Sequence, residues 1–375
     1  MIYLDNNATT RLAPEVLETM TRYYMQDYAN PNSIHSMGLT ASMAMEEARE
    51  KIANLLGTNP REIFFTSCAT ESINWALRTA TSFRGNRKKV ITSSIEHKAV
   101  LNTLKDLKNT HNIEIIQVPP ERNGIVLAEK ILKEIDDNTY LVSLMAVNNV
   151  TGAIQPFEEL GNLLAKKGIF YHIDAVQTIG KIPFNLKKVT CDFASFSAHK
   201  FHGPKGVGIL YVRKNTKLRP FITGGGQERG MRSGTQNVPG IVGTALALEL
   251  AVNSLEETST RLNQYRKIII KTVKEIGGVV NTPFEHSIPN TLNISIPGIR
   301  GEILVNALSD EGICVGTSSA CSSRSDGGQY VLEAMKINPE QTASAIRISM
   351  SRENTEKEIL TFVNVLKKLA AALKF

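Results

Sequence analysis

The sequence predicts an α/β protein: a large domain with a mostly parallel central sheet flanked by helices, joined to a smaller α+β C-terminal domain. Three observations predict it. Short apolar runs alternate with amphipathic stretches from about residue 40 to 215, the succession that produces a parallel sheet covered on both faces. Polar clusters recur where the apolar runs end. The 375 residues also exceed the roughly 250–300 at which one core stops growing, so a second domain is expected.

In chain order, the stretch 41–56 (ASMAMEEAREKIANLL) has helical spacing and stops at Gly57, a C-cap signal. EIFFT, KVITS, IEIIQV, TYLVSLM, IFYHID and FASFS follow as short buried strands. In such sheets ligands bind beyond the carboxyl ends of the strands. There the chain places residues 66–71, Glu96-His97, Asn148-Asn149 and Asp174, so four separate loops are expected on one rim. A glycine-rich loop, GGGQERGMRSGTQN (224–237), precedes two helices over roughly 238–276. The remainder alternates again: NTLNISI, a helix near 301–311, ICVGT, the small-residue patch SSRSDGG, a helix near 330–336, AIRISM and a last helix from Thr355. The expected division is 14–255 for the large domain, with 1–13 and 256–375 forming the smaller one.

Hydrophobic residues make up 42% and charged residues 21% of the chain, an ordinary globular balance. The net charge of +7 comes from 43 basic residues scattered among 36 acidic ones. Without a basic run or interleaved aromatics, direct nucleic-acid binding is not expected. Residues 1–20 contain Asp5 and Glu15 and lack a basic start and an apolar block, so the expectation is a cytoplasmic protein without a leader or membrane span. The four cysteines form no C-x-x-C pair, which argues against a zinc site or a disulfide framework; no metal is expected.

The chemistry gathers around SFSAHKFHGPKG (195–206). A lysine after a buried strand is costly unless it is paired or gives up its proton, which makes Lys200 a candidate nucleophile. Asp174 lies one helix and one strand upstream; it suits a helix N-cap, and it equally suits a carboxylate facing a cationic ring nitrogen. An amine with a fixed carboxylate is what pyridoxal 5'-phosphate requires. Ala69-Thr70-Glu71 sits where a strand hands over to a helix N-terminus, with amides free for a phosphate, and Ser197 and His199 add donors beside Lys200. His97 offers a flat face for a ring and a titratable nitrogen. Arg347, inside SAIRISMS, either pairs with an acidic neighbour or clamps a carboxylate. Cys321, in GTSSACSSRSDGG with Arg324 nearby, reads as an exposed thiol favoured as a thiolate. Cys191 and Cys314 read as inert packing, and Cys68 faces the rim without an assigned role.

YLDNNATT, ANPNSIHSMG, FFTSCATESIN, EHKAV, HIDAVQTIGK, SFSAHKFHGPKGVG, GGGQERGMRSGTQN, SSACSS and IRIS occur in that order along nearly the whole chain. Together they resemble the cysteine desulfurases of the NifS/IscS type, within the class V aminotransferases. The resemblance implies a fold-type I pyridoxal-phosphate enzyme, a homodimer that converts L-cysteine to L-alanine and holds the sulfur as a cysteine persulfide. That sulfur would pass to an acceptor protein for iron–sulfur cluster assembly or for thiolation of tRNA or a cofactor. It further implies that Lys200 carries the cofactor, Asp174 faces its ring nitrogen, and Gln177 and Asn149 contact its phenolic oxygen. His97 would stack on the ring; Ala69, Thr70, Ser197 and His199 would bind the phosphate, with Thr235 reaching across from a partner subunit. Asn7 and Arg347 would bind the substrate, and Cys321 would take the sulfur. Two positions depart from the family pattern: Val150 replaces the usual acidic residue of NNE-x-G, and Cys68 stands where glycine is commoner. A selenocysteine lyase and a non-catalytic scaffold on the same fold are the alternative readings.

Overall fold

The computed structural model describes residues 1–317 and 328–373; Cys321 and Arg324 lie outside the described residues. Its strands, in chain order, are β1 (Ile2–Leu4), β2 (Ile63–Thr66), β3 (Lys89–Ser93), β4 (Glu114–Val118), β5 (Thr139–Met145), β6 (Phe170–Asp174), β7 (Phe193–Ser197), β8 (Gly208–Val212), β9 (Val279–Val280), β10 (Thr291–Ser295), β11 (Ile313–Thr317) and β12 (Ala345–Ser349).

Seven strands form the larger sheet in the order β2-β8-β7-β6-β5-β3-β4. Neighbours from β7 to β4 are parallel. The exception is β8, which pairs antiparallel with both β2 and β7. The sequence reading left β8 unnamed; it is a hairpin return packed between the edge strand and the parallel core. Every residue of β5 and β7 is buried, as expected for strands covered on both faces. The buried polar residues in these strands satisfy one another. His172 on β6 meets the Ser143 hydroxyl 2.9 Å from Nδ1 and the Ser195 hydroxyl 3.0 Å from Nε2. Burial lowers its imidazole to about 3, so it is a neutral packing element.

The helix predicted from residue 41 begins earlier, spanning Ser36–Leu56. Met37, Leu39 and Met43 are exposed, so the first turns carry no inward apolar stripe from which periodicity could be read. Gly57 ends it as expected, in the left-handed conformation at φ 73°. Helices Val238–Asn253 and Leu255–Glu275 fill the predicted 238–276 stretch.

The smaller sheet runs β1-β11-β12-β10-β9, with β1 parallel to β11 and the other pairs antiparallel. The N-terminus is thereby stitched to the C-terminal third. Leu262 and Ile269, Leu304 and Leu308, and Phe362 and Leu366 from three helices pack with Ile294, Ile346 and Ile348 into its core. Among the described residues no single helix is long and apolar enough to cross a membrane.

Candidate active site

A cavity of about 490 Å³ opens where β2, β5, β6 and β7 end and β11 and β12 of the smaller sheet approach. The strand-end geometry therefore supplies its walls from loops far apart in sequence. Lys200 ends a single helical turn, Ala198–Lys200, immediately after β7. Its Nζ donates to the backbone carbonyls of Asn7 at 2.6 Å and Ala8 at 2.9 Å. Those carbonyls belong to the segment after β1, so the N-terminus positions the lysine. Burial, with the charge of Arg347 adding, lowers the Lys200 amine to about 8 against the pull of Asp174 and Asp5. A meaningful share of the amine is unprotonated near neutral pH, as a nucleophile requires.

Asp174 closes β6 and is 5% exposed. Its Oδ1 accepts from the Val176 amide at 3.0 Å. Burial pushes its carboxyl up, opposed by the charges of His97 and Lys200 and by the Val176 bond. His97 is the N-cap of helix Lys98–His111, and its Nδ1 accepts from the Ala99 amide at 3.1 Å. That bond places the proton of the neutral ring on Nε2. Burial lowers the imidazole, Lys200 adding and Asp174 opposing.

At one end of the cavity, Cys68, Ala69 and Thr70 start helix Ala69–Ser82, whose N-terminal dipole favours an anion. Gly208 allows this turn: a Cβ there would lie 2.5 Å from both the Cys68 carbonyl carbon and Thr66 Oγ1. Ser197 and His199 face the same cavity. His199 Nδ1 meets the Thr9 hydroxyl at 3.1 Å, and burial lowers its imidazole to about 4, leaving it neutral.

At the other end stands Arg347 on β12. It reaches Asp5 Oδ1 at 2.6 Å and the Asn149 carbonyl at 3.2 Å, while its Nε is buried without a partner among the described residues. The acidic-neighbour reading is thus part of the geometry, and one donor is left over. Asn149 Oδ1 is likewise buried and unpartnered among the described residues. The Asn7 amide donates to Thr291 Oγ1 at 2.8 Å and to the Asn149 carbonyl at 3.1 Å.

The sequence profile of the class-V aminotransferases matches residues 2–362. The chain belongs to the class-V aminotransferase family. It is 39% identical over its full length to a cysteine desulfurase of Trichormus azollae, covering 94% of that protein. Over 97% of its length it is 41% identical to the cysteine desulfurase IscS of Rickettsia akari, covering 90% of it. Among solved structures, a NifS-like protein superimposes with a TM-score of 0.94 at 49% identity, over 99% of this chain and 100% of that one.

In this class-V aminotransferase the cavity collects Asn7, Ala69, Thr70, His97, Asn149, Asp174, Gln177, Ser197, His199, Lys200 and Arg347. Thr235 is not among them. It lines a neighbouring cleft with Thr66 and Ser67, on the glycine-rich loop, which Arg232 ties to Glu71 of the helix Ala69–Ser82 at 2.8 Å. Cys68 lines the cavity, Cys191 is fully buried, and Cys314 is half-buried rather than packed away. Val150, where the family pattern has an acidic residue, is a buried wall residue: a Cβ at Gly328 would lie 2.7 Å from its Cγ2. Sequence reasoning assigned no role to Asp5, Glu96, Lys181 or Gly316. Of these, Asp5 carried a signal, since it lies in YLDNNATT with Asn7.

Proposed function

We propose that this chain is a pyridoxal-phosphate-dependent cysteine desulfurase that converts L-cysteine to L-alanine and passes the sulfur, as a cysteine persulfide, to an acceptor protein. The single observation that carries the reading is the juxtaposition, in one cavity, of an amine lowered to about 8, Lys200, and a buried carboxylate, Asp174, without a bonded cation of its own. The helix N-terminus at Ala69 fits the phosphate end of the same cofactor. When bound, pyridoxal phosphate supplies an electron sink for the substrate α-carbon.

The chain's own residues do the rest. Lys200 holds the cofactor aldehyde, and Asp174 keeps the ring nitrogen protonated. Ala69, Thr70, Ser197 and His199 bind the phosphate. Gln177 and Asn149 hold the phenolic oxygen, and His97 lies against the ring with its Nε2 proton available for transfer. Arg347 orients the substrate carboxylate together with Asn7. Cys321 receives the sulfur. Thr317 and Gly328 both line the cavity. In this reading residues 14–255 form the cofactor domain and 1–13 with 256–375 the smaller one; the 63° bend between helices Val238–Asn253 and Leu255–Glu275 marks the passage.

The active form is a homodimer. Met25, Tyr28, Ile34, Leu39 and Met43 are exposed, Ile34 at 94%, large apolar side chains that pairing with a second copy would cover. Asn32 donates to Gln236 at 3.2 Å, which ties the loop of Thr235 to the segment of Ile34, and in the dimer Thr235 would reach the partner's phosphate site.

The deciding experiment incubates the purified protein with pyridoxal phosphate and L-cysteine, measures alanine, traps persulfides by alkylation and locates the label by mass spectrometry. Alanine formation with label on Cys321 is expected; release from L-selenocysteine alone would instead mark a selenocysteine lyase, and failure to take up the cofactor would mark a scaffold.

A further inference from the structure

A second amine stands behind the first. Lys181 follows the tight turn at Gly180, and its Nζ donates to Oε1 of Gln177. Gln177 is 3% exposed, and its Nε2 donates to the Asn7 carbonyl at 3.1 Å. That carbonyl is the acceptor Lys200 uses at 2.6 Å. One continuous chain therefore runs from Lys181 through the Gln177 amide and the Asn7 carbonyl to Lys200. Gln177 faces the large cavity, whereas Lys181 and Lys200 share a smaller one on its far side.

An ammonium donates and cannot accept, so Lys181 must meet the carbonyl end of the Gln177 amide. The Asn7 carbonyl must meet the other end. The side-chain amide is thus held at both ends, its oxygen on Lys181 and one N–H on the Asn7 carbonyl, which leaves the second N–H as the donor for an anionic oxygen in the large cavity that Gln177 lines. We propose that Lys181 is a positioning residue of this site: acting through Gln177, it turns an amide donor toward the phenolic oxygen of pyridoxal phosphate and stabilises that oxygen's anionic form. The inference rests on the cofactor assignment above.

Electrostatics support it. Lys200, His202 and Arg352 share the small cavity with Lys181, and Glu353 is engaged with His202 at 3.4 Å. Among the described residues Lys181 has no carboxylate partner. Burial lowers its amine to about 7, the charges of Lys200 and Arg347 adding; its own charge in turn bears on His199. An anionic phenolic oxygen held beyond Gln177 would favour the charged form of Lys181, so Lys181 would keep its proton more readily with the cofactor in place. The site thus keeps a cation behind Gln177 when the phenolic oxygen needs one.

The test uses the full-length protein titrated with pyridoxal phosphate, comparing the unaltered chain with Lys181→Met and Lys181→Arg. The visible absorption of the bound cofactor is followed from pH 6 to 10, and affinity is measured by fluorescence. Lys181→Met is expected to raise the pH midpoint of the spectral change by about one unit and to weaken binding roughly tenfold. Lys181→Arg should restore most of both. A second measurement needs no variant: the pH dependence of Lys181 acetylation, read by mass spectrometry, should move upward when the cofactor is loaded. Equal midpoints and affinities in the folded Met variant, or an unmoved labelling profile, overturn the role of Lys181 alone. If the unaltered protein takes up no pyridoxal phosphate, the functional reading falls and this inference with it.

Discussion

Gly316 on β11 lies opposite Arg347 on β12, so close beneath the guanidinium that a Cβ at 316 would come within 2.9 Å of Nη2 and 2.7 Å of Asp5 Oδ1. The glycine is what leaves room for the guanidinium, whose Nε also lies 3.1 Å from where that Cβ would stand. Gly316→Ala should push the Arg347–Asp5 pair out of place. We expect KM for L-cysteine to rise about tenfold, some 1.4 kcal/mol of binding, with a smaller change in kcat. Steady-state kinetics on the cofactor-saturated enzyme decide; an unchanged KM removes Arg347 from substrate binding.

The glycine-rich loop is held by a buried ion pair. Arg49 grips Glu228 with two bonds of 3.0 and 2.8 Å and also donates to the Ile63 carbonyl. Glu228 in turn accepts from the Phe65 amide at 3.0 Å. Both side chains are almost wholly buried, so removing one leaves an uncompensated charge. Arg49→Met should cost about 3–5 kcal/mol in urea unfolding and weaken dimerisation, because Thr235 sits on the loop thus released.

Glu96 predicts a pH effect on stability. It is fully buried, its Oε1 accepts from Ser93 Oγ at 2.6 Å and the Met145 amide at 2.9 Å, and its Oε2 has no partner among the described residues. Burial raises its carboxyl from near 4.5 to about 8 against the pull of those bonds. The folded protein therefore keeps this proton where the unfolded chain has released it. Stability from this group is full below about pH 4.5 and is lost as pH rises toward 8, at up to about 1.4 kcal/mol per unit. Glu96→Gln should flatten that decline and raise Tm at pH 8; parallel Tm profiles for the two proteins would contradict it.

His97 has a structural duty and a chemical one, and substitutions separate them. His97→Asn keeps a side-chain acceptor for the Ala99 amide, since asparagine is a good N-cap, but cannot exchange a proton. It should fold with unchanged Tm and lose about 10²–10⁴-fold in turnover. His97→Ala should lose the turnover and also about 1 kcal/mol of stability. Equal stability in both variants would mean the cap bond contributes nothing.

The two cysteines of the candidate site are separable by substitution. Cys68 lines the cavity and is the N-cap of helix Ala69–Ser82, where a phosphate rather than a substrate sulfur would sit. Cys68→Ser should leave persulfide formation within about twofold of the unaltered protein, whereas Cys321→Ser should abolish it while cofactor binding persists. Alkylation and mass spectrometry read both.

Much of this architecture was written in short stretches of chain. Apolar runs such as TYLVSLM, the cap at Gly57 and the polar ends of the strands are local signals, set by sterics and burial within about ten residues, and they placed Lys200, Asp174 and His97 on one rim. The early start of helix Ser36–Leu56 was hidden because its first turns face outward. The reversed strand β8 was hidden because strand direction is a property of pairing and leaves no mark in a five-residue run.

Which charges and amides meet was decided only by the tertiary structure. Asp5 and Arg347 are 342 residues apart, and the Asn7 carbonyl that holds Lys200 lies 193 residues upstream of it. The chain of contacts joining Lys181 to Lys200 passes through a carbonyl that every residue possesses and no sequence pattern marks. Periodicity and capping are read within one element, whereas electrostatic partnership depends on distances created when β1 enters the C-terminal sheet beside β11. The sequence by itself therefore determined the elements and the reactive groups; the folded structure determined their neighbours, and with them the protonation states on which the proposed chemistry depends.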